Sequence, residues 1–557
     1  MKHRMPVSSS AEKIREFYDR GFWRGDTIYG LVRDHAGKTP DKAAVREKFR
    51  TVTYGELVDA ADRLADALAG KGLGAGERVA VWLPSRIETA AALLACSRNG
   101  YVCCPSLHRD HRTDDIAELL ERTGAAALIA EAGYGAGGAA EDIFRAASGI
   151  ESLKYVLKLD PRAGTGTNED IFPSIGPARM SLEIPGEIRT DPDTIVYLAF
   201  TSGTTGRPKG VMHSDNTLLA NARGLAADWS LGTDMVVYSL SPLSHNLGWG
   251  ARIMTLTGGG EFIVHDLGRG ESLLGRLIGT GATFLFGVPT HAIDLLAELR
   301  NSGSKDVGRL KGFRVSGASV PPVVAAGLLQ HGITPQSGYG MTEAGSHHYT
   351  LPGDDPRAII ETSGKACPGY EVKIFSSDDP EKELPPGETG QIGGRGASLM
   401  LGYFDDSEAF ERAFNSSGWF MTGDMGWLDQ AGYIHVTGRK KDVIIRGGHN
   451  INPAKIENLA LRHEAVERAA VIPIADERLG EKVCIAVQLR GGASMDAEEL
   501  LAHLDECKLS KYDMPEYFLE LDDIPLTPSG KVFKRDLVAW VEEGRIKPAP
   551  VRIETGD

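Results

Sequence analysis

Strand-like and helix-like segments alternate through most of the chain, and this alternation is the feature that most restricts the fold. The run "ERVAVWLP" (77–84) predicts a buried strand, and residues 85–100 predict a helix with Ser85 as its N-cap and Gly100 as its end. The strand-like "YVCCPS", a helix over "TDDIAELLERTGA" and the strand "AALIAE" follow, and a second series begins at "DTIVYLAF" (193–200). This order predicts parallel sheets covered by helices.

The domain organisation follows from length and from a change in texture along the chain. The 557 residues predict about three or four structural units. From about residue 364 short strands and turns replace the alternation, and a compact α/β segment follows "GRKKDVI" (438–444). We expect an α/β fold whose large N-terminal domain (1–438) contains two doubly wound sheet subdomains and a small β-barrel-like subdomain at about 352–438. A boundary at 439–443 and a small α+β C-terminal domain (444–557) complete the prediction.

Composition and charge exclude several classes of protein. The net charge of -15 argues against a nucleic-acid binder, which would carry a basic footprint. The six cysteines are scattered without a CxxC pair, so we expect neither a disulfide framework nor a zinc site. No apolar run approaches a membrane span, and the first residues show no secretory signal, so we expect a cytoplasmic enzyme. His347 and His348 lack the spacing of metal ligands, and we interpret them as part of a polar loop.

The segment "TSGTTGRPKG" (201–210) has the chemistry of a phosphate-binding loop. Its glycines let the backbone approach a phosphate, its hydroxyls donate hydrogen bonds, and Lys209 adds a positive charge. It does not match the common Gly-x4-Gly-Lys-Ser/Thr loop, so a kinase or GTPase of that type is excluded. On its own residues, the segment remains either a phosphate loop or a polar surface loop.

Three further segments carry groups suited to a nucleotide. In "QSGYGMTEAG" (336–345) we expect a tight turn around Tyr339, whose ring can stack on a base, while Thr342 and Glu343 offer oxygen ligands to Mg²⁺. Asp424 follows a glycine in a predicted turn, where its carboxylate can bind ribose hydroxyls. Lys531 lies in a glycine-flanked loop near the C-terminus. Each has a simpler interpretation as a solvated loop residue.

Taken in order, the motifs TSGTTGRPKG, YGMTE, TGD, GRKKDVI and PLTPSGK resemble those of the ANL superfamily of adenylate-forming enzymes. This superfamily contains acyl- and aryl-CoA synthetases, carrier-protein adenylation domains and firefly-type luciferases. The resemblance extends from residue 53 to Lys531, with a narrower similarity to cyclohexanecarboxylate-CoA ligases. It implies a ligase that uses ATP, Mg²⁺ and CoA, and a C-terminal domain that moves as a lid. It does not decide whether the protein forms a homodimer.

The resemblance also implies roles for individual residues. The phosphate loop would comprise Thr201, Ser202, Gly203, Thr204, Thr205, Gly206 and Lys209. Gly317, Ser319 and Tyr339 would line the adenine pocket, Thr342 would contact phosphate, and Glu343 would hold Mg²⁺. Asp424 and Arg439 would bind ribose, and Lys441 would be the hinge of the C-terminal domain. Lys531 would bridge the carboxylate and the α-phosphate, and Gly447 and Gly448 would lie against the pantetheine arm of CoA.

The acid pocket is expected around "SPLSHNLGWGAR" (241–252). Its predicted walls are His245, Asn246, Trp249, Gly338 and Met341, although His245 can equally be a packed loop residue. No aspartate occurs in 238–252, which argues against an amino-acid substrate, and the few charges favour a medium-chain, alicyclic or aryl acid. The expected acceptor is CoA, and the alternative is a separate carrier protein. A non-catalytic binding protein is the alternative from another class.

Overall fold

The computed structural model describes residues 11–161, 171–172, 188–189, 191–201, 208–268 and 270–551, and the structural statements below concern these residues. No helix among them is long and apolar enough to cross a membrane. The six cysteines are all free.

The helices lie mostly in the first two thirds of the chain. In the described part they are α1 (Ala11–Asp19), α2 (Ile28–Lys38), α3 (Tyr54–Gly70), α4 (Ile87–Asn99), α5 (Thr113–Thr123), α6 (Ile143–Ala147), α7 (Asp215–Asp228), α8 (Asn246–Thr257), α9 (Leu273–Thr280), α10 (Pro289–Ser302), α11 (Pro322–Gln330), α12 (Pro356–Glu361), α13 (Ser407–Glu411), α14 (Pro453–Ala460), α15 (Ala497–Glu506) and α16 (Lys534–Glu542).

The strands form four sheets. In chain order they are β1 (Ala43–Arg46), β2 (Thr51–Thr53), β3 (Arg78–Trp82), β4 (Val102–Cys104), β5 (Ala127–Glu131), β6 (Tyr155–Leu159), β7 (Ile195–Phe200), β8 (Gly210–Ser214), β9 (Val236–Ser239), β10 (Glu261–Val264), β11 (Phe284–Gly287), β12 (Gly312–Val315), β13 (Thr334–Met341), β14 (Gly345–Tyr349), β15 (Lys365–Ala366), β16 (Tyr370–Phe375), β17 (Gly390–Gly396), β18 (Gly402–Phe404), β19 (Phe420–Leu428), β20 (Ile434–Arg439), β21 (Ile444–Arg446), β22 (His449–Ile451), β23 (Val466–Asp476), β24 (Gly480–Leu489), β25 (Tyr517–Glu520) and β26 (Ala549–Pro550).

The first sheet has seven strands in the order β18-β8-β7-β4-β3-β5-β6. Its strands β7, β4, β3, β5 and β6 are parallel, as the alternation predicts. Helices α4, α5 and α6 connect β3, β4, β5 and β6, and each returns the chain to the end of the sheet where the next strand starts. Gly100 ends α4 with a φ of 72°, as predicted. The prediction for Ser85 was wrong: Arg86 is the N-cap of α4, and the Ser85 hydroxyl instead accepts a hydrogen bond of 2.9 Å from the Leu243 amide.

The second sheet has nine strands in the order β15-β14-β13-β12-β11-β9-β10-β1-β2. Its central strands β13, β12, β11, β9 and β10 are parallel, and β14 runs antiparallel to β13. Helix α7 contacts β8 of the first sheet and β14 of the second, and it packs against α8. Helices α7 and α8 therefore lie between the two sheets, where one large hydrophobic core joins them.

The remaining two sheets lie in the last third of the chain. Strands β16, β17, β19 and β20 form a four-stranded antiparallel sheet, and the last six strands form a mixed sheet whose two faces carry separate apolar cores. The architecture is thus an α/β fold with a large N-terminal and a small C-terminal domain. The exact domain bounds given above stay predictions.

Three expectations about loops and turns were wrong. The segment around Tyr339 is not a turn but belongs to strand β13, where Tyr339 pairs with His348 of β14. His347 and His348 are fully buried in β14 rather than in a polar loop, because β14 joins the edge of the second sheet and its side chains pack beneath Tyr370. Asp424, expected in a turn, lies in β19, although the preceding Gly423 has a φ of 78°.

Candidate active site

A tyrosine, a carboxylate and an arginine meet where β13 approaches the four-stranded sheet. The hydroxyl of Tyr339 donates a 2.7 Å hydrogen bond to Asp424, and the guanidinium of Arg439 lies 3.4 Å from the same carboxylate. Register brings Asp424 opposite Arg439 across β19 and β20. Burial raises the pKa of Asp424, and the Arg439 charge opposes that rise. The pKa of Tyr339 is raised well above its usual value, first by burial and then by Asp424, so the phenol remains a donor.

Lys531 enters this site from the C-terminal domain. The loop that carries it is closed by two hydrogen bonds: the Thr527 amide donates to the Lys531 carbonyl at 2.7 Å, and the Lys531 amide donates to the Thr527 hydroxyl at 3.1 Å. A Cβ added at Gly317 would lie 2.8 Å from the Lys531 Cε, so glycine allows the lysine to approach. Burial, and then the charge of Arg439, lowers the pKa of Lys531 to about 8. Lys531 is therefore a buried cation that an anionic ligand would stabilise.

Two contacts hold the C-terminal domain in this position. The Thr290 hydroxyl donates to the carbonyl of Gly530, the residue before Lys531, and Arg468 forms an ion pair with Asp294 of α10. Both partners on the N-terminal side are at or near the start of α10. The orientation of the two domains thus places Lys531 beside the Tyr339–Asp424 pair.

Glu343 and Lys209 flank a second tyrosine. The Tyr403 hydroxyl donates a 3.0 Å hydrogen bond to Glu343, and the Lys209 ammonium lies 4.7 Å from the centre of the Tyr403 ring. Burial raises the pKa of Glu343, and the Tyr403 hydrogen bond and the Lys209 charge partly offset it. The amide of Thr201 donates to the Lys209 carbonyl at 3.0 Å, which joins the two ends of the predicted phosphate loop. Residues 202–207, with Ser202, Gly203, Thr204, Thr205 and Gly206, lie outside the described residues.

The donor set at Glu343 fits Mg²⁺. Its carboxylate is bonded by a hydroxyl rather than by a cation, so oxygen lone pairs remain for a metal. No group of three or more potential metal-binding side chains occurs among the described residues. Mg²⁺ ordinarily uses one or two carboxylates together with water and substrate phosphates, which is compatible with a single carboxylate here.

His245 stands at the N-terminus of α8 and faces Lys531. Its Nδ1 accepts a 3.3 Å hydrogen bond from the Leu247 amide. Burial, with the nearby charges of Lys531 and His108, lowers the pKa of His245 well below 6.5, so the ring is neutral. Sequence reasoning missed His108, whose pKa burial lowers to about 4 and whose Nδ1 lies 3.0 Å from the Ser244 hydroxyl. The histidines in "SLHRDH" were the available signal.

The other predicted walls of the acid pocket lie in different surroundings. The Asn246 side chain reaches the Met341 carbonyl at 3.5 Å, and a narrow cleft of about 30 Å³ runs beside Asn246, Gly250 and Ser346. Trp249 is fully buried, with its ring 4.8 Å from that of Tyr197.

The remaining predicted residues lie in loops and turns. Ser319 is exposed in the loop after β12, while the carbonyl of Thr342 accepts a 2.8 Å hydrogen bond from His213. Lys441 is exposed in the 3-10 turn Lys440–Asp442, where burial and the charge of Arg439 lower its pKa. Gly447 and Gly448, at φ values of 57° and 86°, form the turn between β21 and β22.

Comparison with known proteins agrees with this architecture. The family model described as "AMP-binding enzyme" matches residues 32–404, and the model for its C-terminal domain matches residues 455–531. The medium-chain fatty-acid–CoA ligase of Escherichia coli (strain K12) is 31% identical over 536 residues, which is 95% of this chain and 93% of that protein. The salicylyl-CoA synthase / salicylate adenylyltransferase of a Streptomyces species is 32% identical over 540 residues, 95% of each.

Solved structures give the same result. ATP-bound MatB from Rhodopseudomonas palustris superposes with a TM-score of 0.78 at 27% identity and covers 94% of this chain and 100% of its own. The o-succinylbenzoate CoA synthetase of Bacillus subtilis, in complex with its acyl-adenylate intermediate, gives a TM-score of 0.75 at 26% identity over 92% of this chain and 98% of its own. The chain belongs to the family of AMP-binding enzymes.

Proposed function

We propose that this protein is an ATP-dependent carboxylic acid–CoA ligase. It joins an acid to ATP as an acyl-adenylate with release of pyrophosphate, and then transfers the acyl group to CoA with release of AMP. The observation that carries the proposal is the position of Lys531, a buried cation brought by the C-terminal domain to Gly317 and the Tyr339–Asp424 pair.

In the first step an oxygen of the acid attacks the α-phosphorus of ATP, and the bond from that phosphorus to pyrophosphate breaks. A carboxylate needs no base, so catalysis consists of positioning two anions and neutralising their charge. We assign this role to Lys531, because its ammonium is buried near the charges of Arg439 and Asp424, where the nucleotide is proposed to bind. Neutral His245 adds no competing positive charge beside it.

Side chains around Lys531 bind the nucleotide in this proposal. Tyr339 presents its ring to the adenine, and Asp424 accepts hydrogen bonds from the ribose while Arg439 balances its charge. Lys209 and the loop from Thr201 hold the β- and γ-phosphates. When bound at Glu343, Mg²⁺ supplies positive charge to the phosphate oxygens.

In the second step the CoA sulfur bonds to the acyl carbon, the bond from that carbon to AMP breaks, and the thiol proton passes to solvent. In this proposal Lys531 serves adenylation from its present position, and the C-terminal domain turns at Lys441 before thiol attack. The exposed turn of Gly447 and Gly448 would then face the pantetheine arm, since neither glycine presents a side chain to it.

The acid is proposed to be medium-chain, alicyclic or aryl. The absence of aspartate from 238–252 and the largely apolar face of α8 support this. Two relatives are named as a medium-chain fatty-acid–CoA ligase and a salicylyl-CoA synthase, and the acids in these names fall in the same range.

The test is an acid panel from acetate through octanoate, benzoate and cyclohexanecarboxylate to palmitate. Pyrophosphate release with ATP and Mg²⁺ reports adenylation, and mass spectrometry of the product with CoA or with a holo-carrier protein identifies the acceptor. Thioester on CoA supports the proposal, and thioester on the carrier alone would refute the acceptor. Light scattering tests whether the enzyme forms a homodimer, and cell fractionation tests the proposed cytoplasmic location.

A further inference from the structure

A buried group of polar side chains lies beside Gly338, a predicted wall of the acid pocket. It consists of Arg314 on β12, Gln336 on β13, His347 and His348 on β14, and Tyr370 on β16, and is called the Arg314 cluster below. The first four are fully buried, and Tyr370 is 6% exposed. The His347 ring stacks on Tyr370 with centroids 4.4 Å apart, and Arg314 contacts both Gln336 and His348.

All five members of the cluster have polar atoms without a partner among the described residues. These atoms are Nε and Nη2 of Arg314, Nε2 of Gln336, Nε2 of His347, Nε2 of His348 and the Tyr370 hydroxyl. Buried polar atoms in folded proteins are nearly always hydrogen-bonded, so six such atoms in one cluster indicate that a polar group belongs there.

The unpartnered edge of Arg314 has a specific geometry. Its Nη1 donates to the Gln336 oxygen at 3.3 Å and to the His348 carbonyl at 3.2 Å. The remaining N–H groups on Nε and Nη2 point side by side, which is an edge that arginine uses to bind a carboxylate through two parallel hydrogen bonds. No carboxylate in the described ranges pairs with Arg314, and burial lowers its pKa to about 10. The centre of the Tyr349 ring lies 5.4 Å from the guanidinium carbon, so the ring face contributes to stabilising the charge and leaves the N–H edge without an oxygen acceptor among the described residues.

The position of Arg314 relates this edge to the substrate. Gly338, a predicted wall of the acid pocket, turns its Cβ side toward Arg314, because a methyl group there would overlap the guanidinium. Strand β12 ends at Val315, one residue after Arg314, and a Cβ added at Gly317, two residues further along, would lie 2.8 Å from the Lys531 Cε. An acid whose carboxylate lies at Lys531 can therefore extend along this strand toward Arg314.

A second buried arginine provides a comparison. Arg252 on α8 also has unpartnered Nε and Nη2 atoms, and its Nη1 donates to the Thr89 hydroxyl at 2.8 Å. However, its guanidinium lies 4.1 Å from the centre of the Trp249 ring, so the indole stabilises its charge. Arg252 is therefore a matched control in depth and chemistry.

We propose that the acid carries an oxygen acceptor at its far end and that Arg314 binds this oxygen through Nε and Nη2. The inference rests on the proposed ligase function and makes Arg314 a specificity-determining residue. A carboxylate satisfies both N–H groups, and a hydroxyl oxygen accepts from one, so the carboxylate is the better match.

The experiment compares three acids of equal chain length: octanoate, ω-hydroxyoctanoate and suberate. We measure kcat/KM for acyl-CoA formation with the wild type, with Arg314→Met and with the control Arg252→Met. The wild type is expected to prefer suberate and then ω-hydroxyoctanoate over octanoate. Arg314→Met should lower kcat/KM for suberate about 10- to 100-fold while leaving octanoate within a few fold. Arg252→Met should change all three acids by the same factor.

The outcomes separate the inference from the proposed function. A wild-type preference for octanoate refutes the role of Arg314 even if Arg314→Met fails to fold. An equal effect of Arg314→Met on the three acids, or a selective effect of Arg252→Met, refutes it as well. Absence of thioester with every acid refutes the ligase function instead, and equilibrium binding of suberate against octanoate to the wild type then tests Arg314 alone.

Discussion

Replacing Lys531 with alanine is expected to separate the two half-reactions. The pKa of this lysine falls from 10.5 to about 8, so its charge costs about 3 kcal/mol to hold in the ligand-free site. Anionic substrates that bind beside the ammonium offset this cost. Their attraction to the ammonium becomes stronger as negative charge moves onto the phosphates during the reaction. Without Lys531, the adenylation rate should fall about 100- to 1000-fold.

The assay measures the half-reactions independently. Pyrophosphate release from ATP and acid reports the first, and formation of acyl-CoA from supplied acyl-adenylate reports the second. The second should change by no more than a few fold, because the proposed domain movement takes Lys531 away from the site. Lys534→Ala is the matched control, since Lys534 pairs with Glu457 at 2.5 Å instead. Equal loss in both half-reactions of Lys531→Ala would refute the reasoning.

Three further predictions concern pH, packing and nucleotide binding. Because Lys531 acts as a cation with a pKa of about 8, kcat/KM for adenylation should fall as the pH rises through about 8, and a flat profile would contradict this. The methyl group of Gly338→Ala would overlap the Arg314 guanidinium, so this variant should lower the free energy of unfolding, measured by urea titration, by about 1–3 kcal/mol. Unchanged stability would show that Arg314 moves freely. Tyr339→Phe removes the 2.7 Å hydrogen bond to Asp424 and should raise KM for ATP about tenfold in pyrophosphate-release kinetics, and an unchanged KM would count against the Asp424 assignment.

Two control variants accompany these tests. Gly279→Ala lies in helix α9 with open space around its Cβ position, so it should leave stability equal or slightly higher. Tyr238 lies on strand β9, and Tyr238→Phe removes the hydroxyl that lies 3.0 Å from the Nδ1 of His265. This tyrosine has no part in the proposed nucleotide site, so KM for ATP should not change.

Regular alternation made much of the fold predictable from sequence. Strands β3, β5 and β7 are short apolar runs between turn residues, and Gly100 can end α4 because glycine adopts a positive φ. The cap of α4 was not predictable in the same way. Whether Ser85 caps the helix depends on its contact with the Leu243 amide, which lies far away in sequence.

The candidate site was likewise predictable from sequence only in part. The order of motifs selected Tyr339, Asp424 and Lys531, and the structure brings these three together. The sequence does not reveal that β14 buries His347 and His348, because two adjacent histidines also suit an exposed loop. Nor does it reveal that Arg314 has no carboxylate partner in the described part of the chain, since that depends on four strands meeting in space.

The central claim is that the enzyme activates an acid as an adenylate and passes it to CoA. Quantifying every product from ATP, CoA and an accepted acid tests this most directly. The account predicts equal amounts of AMP, pyrophosphate and acyl-CoA, with pyrophosphate still formed when CoA is left out. Formation of ADP and phosphate, or ATP consumption without thioester when CoA is present, would contradict it.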